Sequence, residues 1–145
     1  MSPPPLDVVR GVPLFAGLPE ADLEAVAALF GEQTFPAGAT ITREGERGAR
    51  VLAFFVITEG AAEVAQGAAR VATLGPGDHF GEIGLFEDVP RTATVTAASD
   101  LTCLTLAAWR FRPFLEANPQ VAVRLLEEMA RRLEELRELA RQAGG

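Results

Sequence analysis

The stretch Gly75 to Ala97, reading GPGDHFGEIGLFEDVPRTATVTA, carries the residues of this chain best suited to hold an anion. Glycines at 75, 77, 81 and 84 allow sharp turns and let a ligand approach the main chain closely. Between Gly81 and Phe86 the spacing allows one short helical turn starting near Glu82. The first amides of such a turn lack internal partners and suit an anion. Nine residues after Glu82, Arg91 follows Pro90, whose ring fixes the local backbone. An arginine there could fold back over the turn and grip two phosphate oxygens with its fork. Glu82 cannot hold the anion, because a carboxylate only accepts hydrogen bonds; beside a phosphate it suits a sugar hydroxyl. Amides and arginine for phosphate, with a carboxylate for ribose, describe a nucleotide site. The same residues also fit a plainer reading, a Glu–Arg ion pair beside a glycine-rich β-turn. Spacing alone leaves both open.

The surrounding elements must position that segment. Leu18-Pro19 opens a helix in which Leu23, Val26, Ala27 and Phe30 fall at helical spacing, and Gly31 is expected to end it. From Gln33 to Leu106 short β-branched or apolar runs alternate with glycines, the pattern of many antiparallel strands in a sandwich, roll or barrel. Ala61 to Val64 and Ala68 to Leu74, around Gln66-Gly67, make a hairpin. Ala107 to Ala117 reads as a helix, and Asn118-Pro119 caps and starts a longer one running to about Ala140. Along it Leu126, Met129, Leu133, Leu136 and Ala140 step by 3, 4, 3 and 4 residues, a coiled-coil seam flanked by Arg and Glu. Leu125 and Leu139 add a second apolar flank. One flank is expected to pack inward and the seam to meet a second copy.

Composition narrows the function classes. With 145 residues and 48% apolar content, one domain with one core is expected. No run reaches about 18 apolar residues, so no membrane span or membrane partner is expected. Pro3, Pro4 and Pro5 do not resemble a secretory signal, and a cytoplasmic protein with a flexible segment over residues 1–11 follows. The formal charge of −7 argues against a large nucleic-acid-binding face, although one arginine can dominate a local site. Every basic residue is arginine, which reads as compositional bias. A single cysteine, Cys103, forbids an internal disulfide, and its leucine neighbours suggest a buried, inert thiol in a strand. With His79 the lone histidine, a catalytic metal centre lacks ligands, and no metal, catalytic cofactor or catalytic residue is expected.

The run FGEIGLFEDVPRTATV resembles the phosphate-binding cassette of the cyclic-nucleotide-binding domain family. Gly81-Glu82-Ile83-Gly84-Leu85 is similar to that family's G-E-aliphatic-small-Leu, and Pro90 to Val95 to its P-R-x-A-Thr/Ser-Val. Leu14-Phe15, Ile41 to Gly45 and Glu59-Gly60 also fall where the family has similar residues, and the resemblance covers about residues 12 to 140. It implies a mainly β fold with flanking helices: a double-stranded, jelly-roll-like β-roll with an N-terminal helix and two C-terminal helices. The domain then runs over 12–142, including a final helix at about 119–140. By position, Arg91 should contact the cyclic phosphate, with Thr92 beside it and Gly81, Ile83, Gly84 and Leu85 supplying amides. Glu82 should hold the ribose 2′-hydroxyl. Val64, Val71 and Phe80 should wall the base, and Leu136 and Arg137 should close over it.

The function implied is a non-catalytic sensor for cyclic AMP, reporting occupancy through its terminal helices as a homodimer through Leu126, Met129, Leu133 and Leu136. The alternatives are cyclic GMP, for which the Thr92 hydroxyl speaks, or a ligand-free dimerisation or docking domain of a larger regulator. The Ala130-Arg131-Arg132-Leu133 stretch is nearest the bacterial catabolite-activator branch. That branch continues into a helix-turn-helix reader, and this chain stops first, so no direct DNA binding by this chain alone is expected. Two departures stand out. Ala49 to Ala53 lengthen a loop relative to the family, and with no tyrosine present, stacking on the base would fall to phenylalanine or Arg137.

Overall fold

The computed structural model describes residues 2–43, 45, 53–81 and 93–144. Strand β3 (Ala53–Glu59) explains the architecture best. Phe54, Phe55, Val56 and Ile57 are all buried, although side chains alternate between the two faces of a strand. Both faces are therefore covered. Phe54 and Val56 join one apolar cluster with the helices, while Phe55 and Ile57 join a second between the sheets. Strand β8 (Leu101–Ala107) repeats the pattern, with Leu104 and Leu106 in the first cluster and Leu101 and Cys103 in the second.

The remaining strands are β1 (Gly31–Phe35), β2 (Thr40–Thr42), β4 (Ala62–Gln66), β5 (Ala69–Leu74), β6 (His79–Phe80) and β7 (Thr94–Ala97). They form two four-stranded antiparallel sheets, β1-β8-β3-β6 and β2-β7-β4-β5. Helices cover the outer face of the first sheet. They are α1 (Leu6–Arg10), a 3-10 turn (Pro13–Phe15), α2 (Glu20–Leu29), α3 (Ala108–Ala117) and α4 (Pro119–Gly144). This is the expected mainly β roll with two C-terminal helices, and at the N-terminal end the expected helix α2 is preceded by a further short helix, α1, and the 3-10 turn. Among the described residues no helix is long and apolar enough to cross a membrane.

Three local expectations need correction. Helix α2 stops at Leu29; Phe30 turns extended, and Gly31 opens β1 instead of ending the helix. The reason is packing: Phe30 sits edge-on to Phe15, Phe54 and Phe114, which a continued helix would forbid. The start of the chain is not uniformly loose. Val9 is fully buried, Ser2 bridges to Glu32, and Arg10 reaches Asp7 and Glu20 at 2.8 and 2.7 Å. Of the second apolar flank on α4, Leu125 is buried but Leu139 is 61% exposed, because the helix has by then run past the roll.

The β3–β4 corner shows what one glycine does. Gly60 has φ +86, and a Cβ there would lie 2.1 Å from the Asp100 carbonyl oxygen. Gly60→Ala should therefore destabilise the fold by about 2 kcal/mol, from left-handed strain and a forced shift of that turn. Urea unfolding measures this, and an unchanged midpoint would show that the corner yields freely.

Candidate functional site

Strand β6 delivers the chain to the site. The turn before it is fixed from inside: the Asp78 carboxylate accepts from the Gly75 amide at 2.9 Å, and the Asp78 amide donates to the Gly75 carbonyl at 3.0 Å. The Ile57 amide donates to the Asp78 carbonyl and the Gly77 amide to the Ile57 carbonyl, locking the turn against β3. Gly77, at φ +91, supplies the left-handed residue this requires. His79 and Phe80 then pair with Val56 and Phe55. Alternation sends His79 towards the helices, with its ring 5.7 Å from that of Phe54, and Phe80 into the roll. Phe80 stacks on Phe55 at 4.8 Å with an interplanar angle of 11°.

Gly81, at φ +97, turns the chain out of this sheet. Strand β7 lies in the opposite sheet between β2 and β4, with Val95 facing Val64. Residues 82–92 thus connect an edge strand of one sheet to an inner strand of the other. Phe80 from the first sheet and Val95 from the second belong to one apolar cluster, against which Val64, Ile41 and Leu74 pack.

The expected site residues divide accordingly. Glu82, Ile83, Gly84, Leu85, Arg91 and Thr92 lie outside the described residues, as does the side chain of Leu136. Phe80 and Val64 come together in one cluster, and Gly81 sits at the exit of β6. Val71 is not brought to them: it lies on β5, the outer strand of its sheet, and is 54% exposed. Arg137 is exposed on α4 and lies 3.9 Å from Glu134 of the same helix. Burial pushes the Cys103 thiol up to about 12, so it stays protonated and offers neither a nucleophile nor a metal ligand.

Two arginines that spacing did not single out tie α4 to the roll. Arg124 Nη1 donates to the Leu14 carbonyl at 2.9 Å, and Arg132 Nη2 to the His79 carbonyl at 3.2 Å. Both acceptors are backbone carbonyls far away in sequence, so no sequence pattern marks them. A groove of about 610 Å³ lies between the 3-10 turn, the Pro76–His79 turn and α4, on the helical side of the first sheet. Glu127, Glu128 and Arg131 line it alongside Asp78, a mixed-charge lining unlike the apolar wall inside the roll.

The family model described as "Cyclic nucleotide-binding domain" matches residues 32–118. A cyclic nucleotide-gated potassium channel of Mesorhizobium japonicum is 40% identical over 115 residues, which make up 79% of this chain and 31% of the channel. The chain thus spans about a third of that relative's length. The crystal structure of the catabolite activator protein of Thermus thermophilus superposes with a TM-score of 0.75 at 29% identity, over 86% of this chain and 59% of that one. The regulatory domain of Toxoplasma gondii PKA, co-crystallised with cAMP, superposes at 0.72 with 25% identity, over 88% of this chain and 48% of that one.

Proposed function

Because the chain belongs to the cyclic nucleotide-binding domain family, we propose that it is a sensor that binds cyclic AMP and reports occupancy through its C-terminal helices. The observation that carries this reading is the span of the match. It runs from residue 32 to residue 118 and includes the whole of residues 82–92, which lie in sequence between Phe80 and Val95, two members of one apolar cluster. On this reading Arg91 and Thr92 meet the cyclic phosphate with the amides of Gly81, Ile83, Gly84 and Leu85, and Glu82 holds the ribose hydroxyl. The base lies against Phe80 and Val64, and Leu136 and Arg137 approach it from α4. Val71, exposed on the outer strand β5, is left out of the base set.

Cyclic AMP comes before cyclic GMP because a structural neighbour carries it: the Toxoplasma gondii PKA regulatory domain was crystallised with cAMP. The module binds without catalysis, consistent with relatives that are channels and regulators. It acts in the cytoplasm, with residues 12–142 as one sensing unit. Parallel calorimetric titrations with cyclic AMP and cyclic GMP test the reading. Tighter binding of cyclic AMP is expected; binding of neither would end it, and a preference for cyclic GMP would reverse the ligand.

Helix α4 also supports a homodimer. Leu126 and Leu133 are 66% and 50% exposed, so the seam is not spent on the chain's own roll. Replacing Met129 and Leu133 together with glutamate places charges in that seam. Light scattering should report a dimer for the native chain and a monomer for the double variant; equal masses for both would refute the interface.

A further inference from the structure

Helix α4 has a firm root and, among the described residues, an outer tie at Arg132. At the root Val121 and Leu125 are buried, and Arg124 holds the Leu14 carbonyl. Roughly 12 Å further along the axis, Arg132 donates to the His79 carbonyl at 3.2 Å. Between these two contacts the helix bridges the 610 Å³ groove. From Leu133 onward every side chain whose burial is described is exposed. Arg132 therefore makes the outermost hydrogen bond from α4 to the roll among the described residues. Its guanidinium Nε also lies 3.9 Å from Glu128, one turn back on the same helix. The acceptor is what gives the contact meaning: His79 immediately precedes Phe80 and Gly81, where the chain leaves for residues 82–92.

We propose that Arg132 is a positioning residue for nucleotide retention, and this rests on the sensor reading above. It fixes the distance between the outer turns of α4 and the strand that feeds the phosphate-binding segment. Leu136 lies one helical turn beyond Arg132, so the angle of the helix at Arg132 decides how near Leu136 and Arg137 come to a bound base. Without that tie the outer helix pivots about its root. Because the tie ends on β6, a nucleotide that shifts this strand must also shift the helix, and the coupling is reciprocal.

The test uses the full chain, with cyclic AMP and a displaceable fluorescent cyclic AMP analogue as probes. Arg132→Ala should release nucleotide roughly tenfold faster, with association altered by less than about twofold, since a lost charged hydrogen bond acts mainly on dissociation. Arg132→Lys keeps one donor and should recover part of that loss. Arg141→Ala serves as the control, because its partners Glu134 and Glu138 lie on the same helix. In hydrogen exchange, cyclic AMP should protect residues 76–81 equally in native and Arg132→Ala chains, but residues 133–144 less in the variant. If Arg132→Ala keeps the native release rate and exchange pattern while the native chain binds cyclic AMP, the positioning role is wrong and the sensor stands. A uniform rise in exchange across the roll, with no rescue by lysine, would also overturn it by showing a general structural role. If the native chain binds neither cyclic nucleotide, both readings fall.

Discussion

Arg91→Ala is expected to weaken cyclic-nucleotide binding by roughly 2–5 kcal/mol, or about thirtyfold to a few thousandfold in Kd. The argument is electrostatic. The proposed ligand carries one fixed negative charge on a ring that enters an apolar roll, away from bulk water. Backbone amides would supply only partial charges, and Arg91 is the only residue with a full positive charge within residues 81–95. Its removal leaves the anion with dipoles alone, and an ion taken from water without a matching charge is costly. Arg91→Lys separates charge from geometry: the ammonium keeps the charge but loses the two-pronged fork, so an intermediate loss is expected. Calorimetry with cyclic AMP on the native chain and both variants measures this, with matched melting curves to show that the fold survives. An Arg91→Ala chain that binds as tightly as the native one would remove Arg91 from the phosphate.

The second large effect concerns stability. Phe114→Ala is expected to cost about 3–5 kcal/mol, the range for emptying a large core aromatic position. Phe114 is buried and meets two rings edge-on, Phe30 at 5.2 Å and Phe15 at 6.2 Å. Those rings come from the strand-entering end of α2 and from the 3-10 turn, so one side chain of α3 joins two neighbouring N-terminal elements that lie far from it in sequence. Truncation leaves a cavity that none of them can refill without moving the others. For a domain of this size the melting temperature should fall by about 10–15 °C, readable by circular dichroism. Phe114→Leu should fall by less than half as much. A drop of only a degree or two would mean that the aromatic cluster does not fasten the helices to the roll. Because α3 carries Phe114 and leads directly into α4, the same cluster anchors the root of the proposed signalling helix.

Element types were legible wherever local chemistry decides them. The Gln66-Gly67 hairpin appears as expected, with β4 and β5 flanking Gly67 at φ +58. The Asn118-Pro119 boundary appears as well, with Pro119 opening α4. The Asn118 side chain, however, donates to the Phe114 carbonyl at 3.0 Å and so caps the end of α3, where spacing had it cap the start of α4. Boundaries set by long-range packing were not legible. Gly31 looked like a helix terminator because glycine often is one, but the position of Phe30 among three other rings ended the helix a residue earlier. Leu139 looked like a core flank because its spacing suits one, yet spacing cannot say how far a helix outruns the surface it packs on.

The site divides along the same line. The residues proposed to bind phosphate and ribose are neighbours in sequence, so their types and order could be read directly from Gly81 to Val95. The proposed base wall is not local: Phe80 and Val64 meet because two different sheets close on each other, and nothing in spacing distinguishes Val64, turned inward, from Val71, exposed on an outer strand. Arg132 lies further still from local reading. It acts on a backbone carbonyl 53 residues away, and every residue type presents the same carbonyl. By itself, then, the sequence determined the alternating pattern of the roll, the helical stripe of α4 and the order of the binding segment, because each depends on side-chain type and short spacing. Only tertiary structure decided which faces are covered, where α4 leaves the roll and which carbonyl Arg132 finds, because those depend on distances between parts of the chain that fold together from far apart.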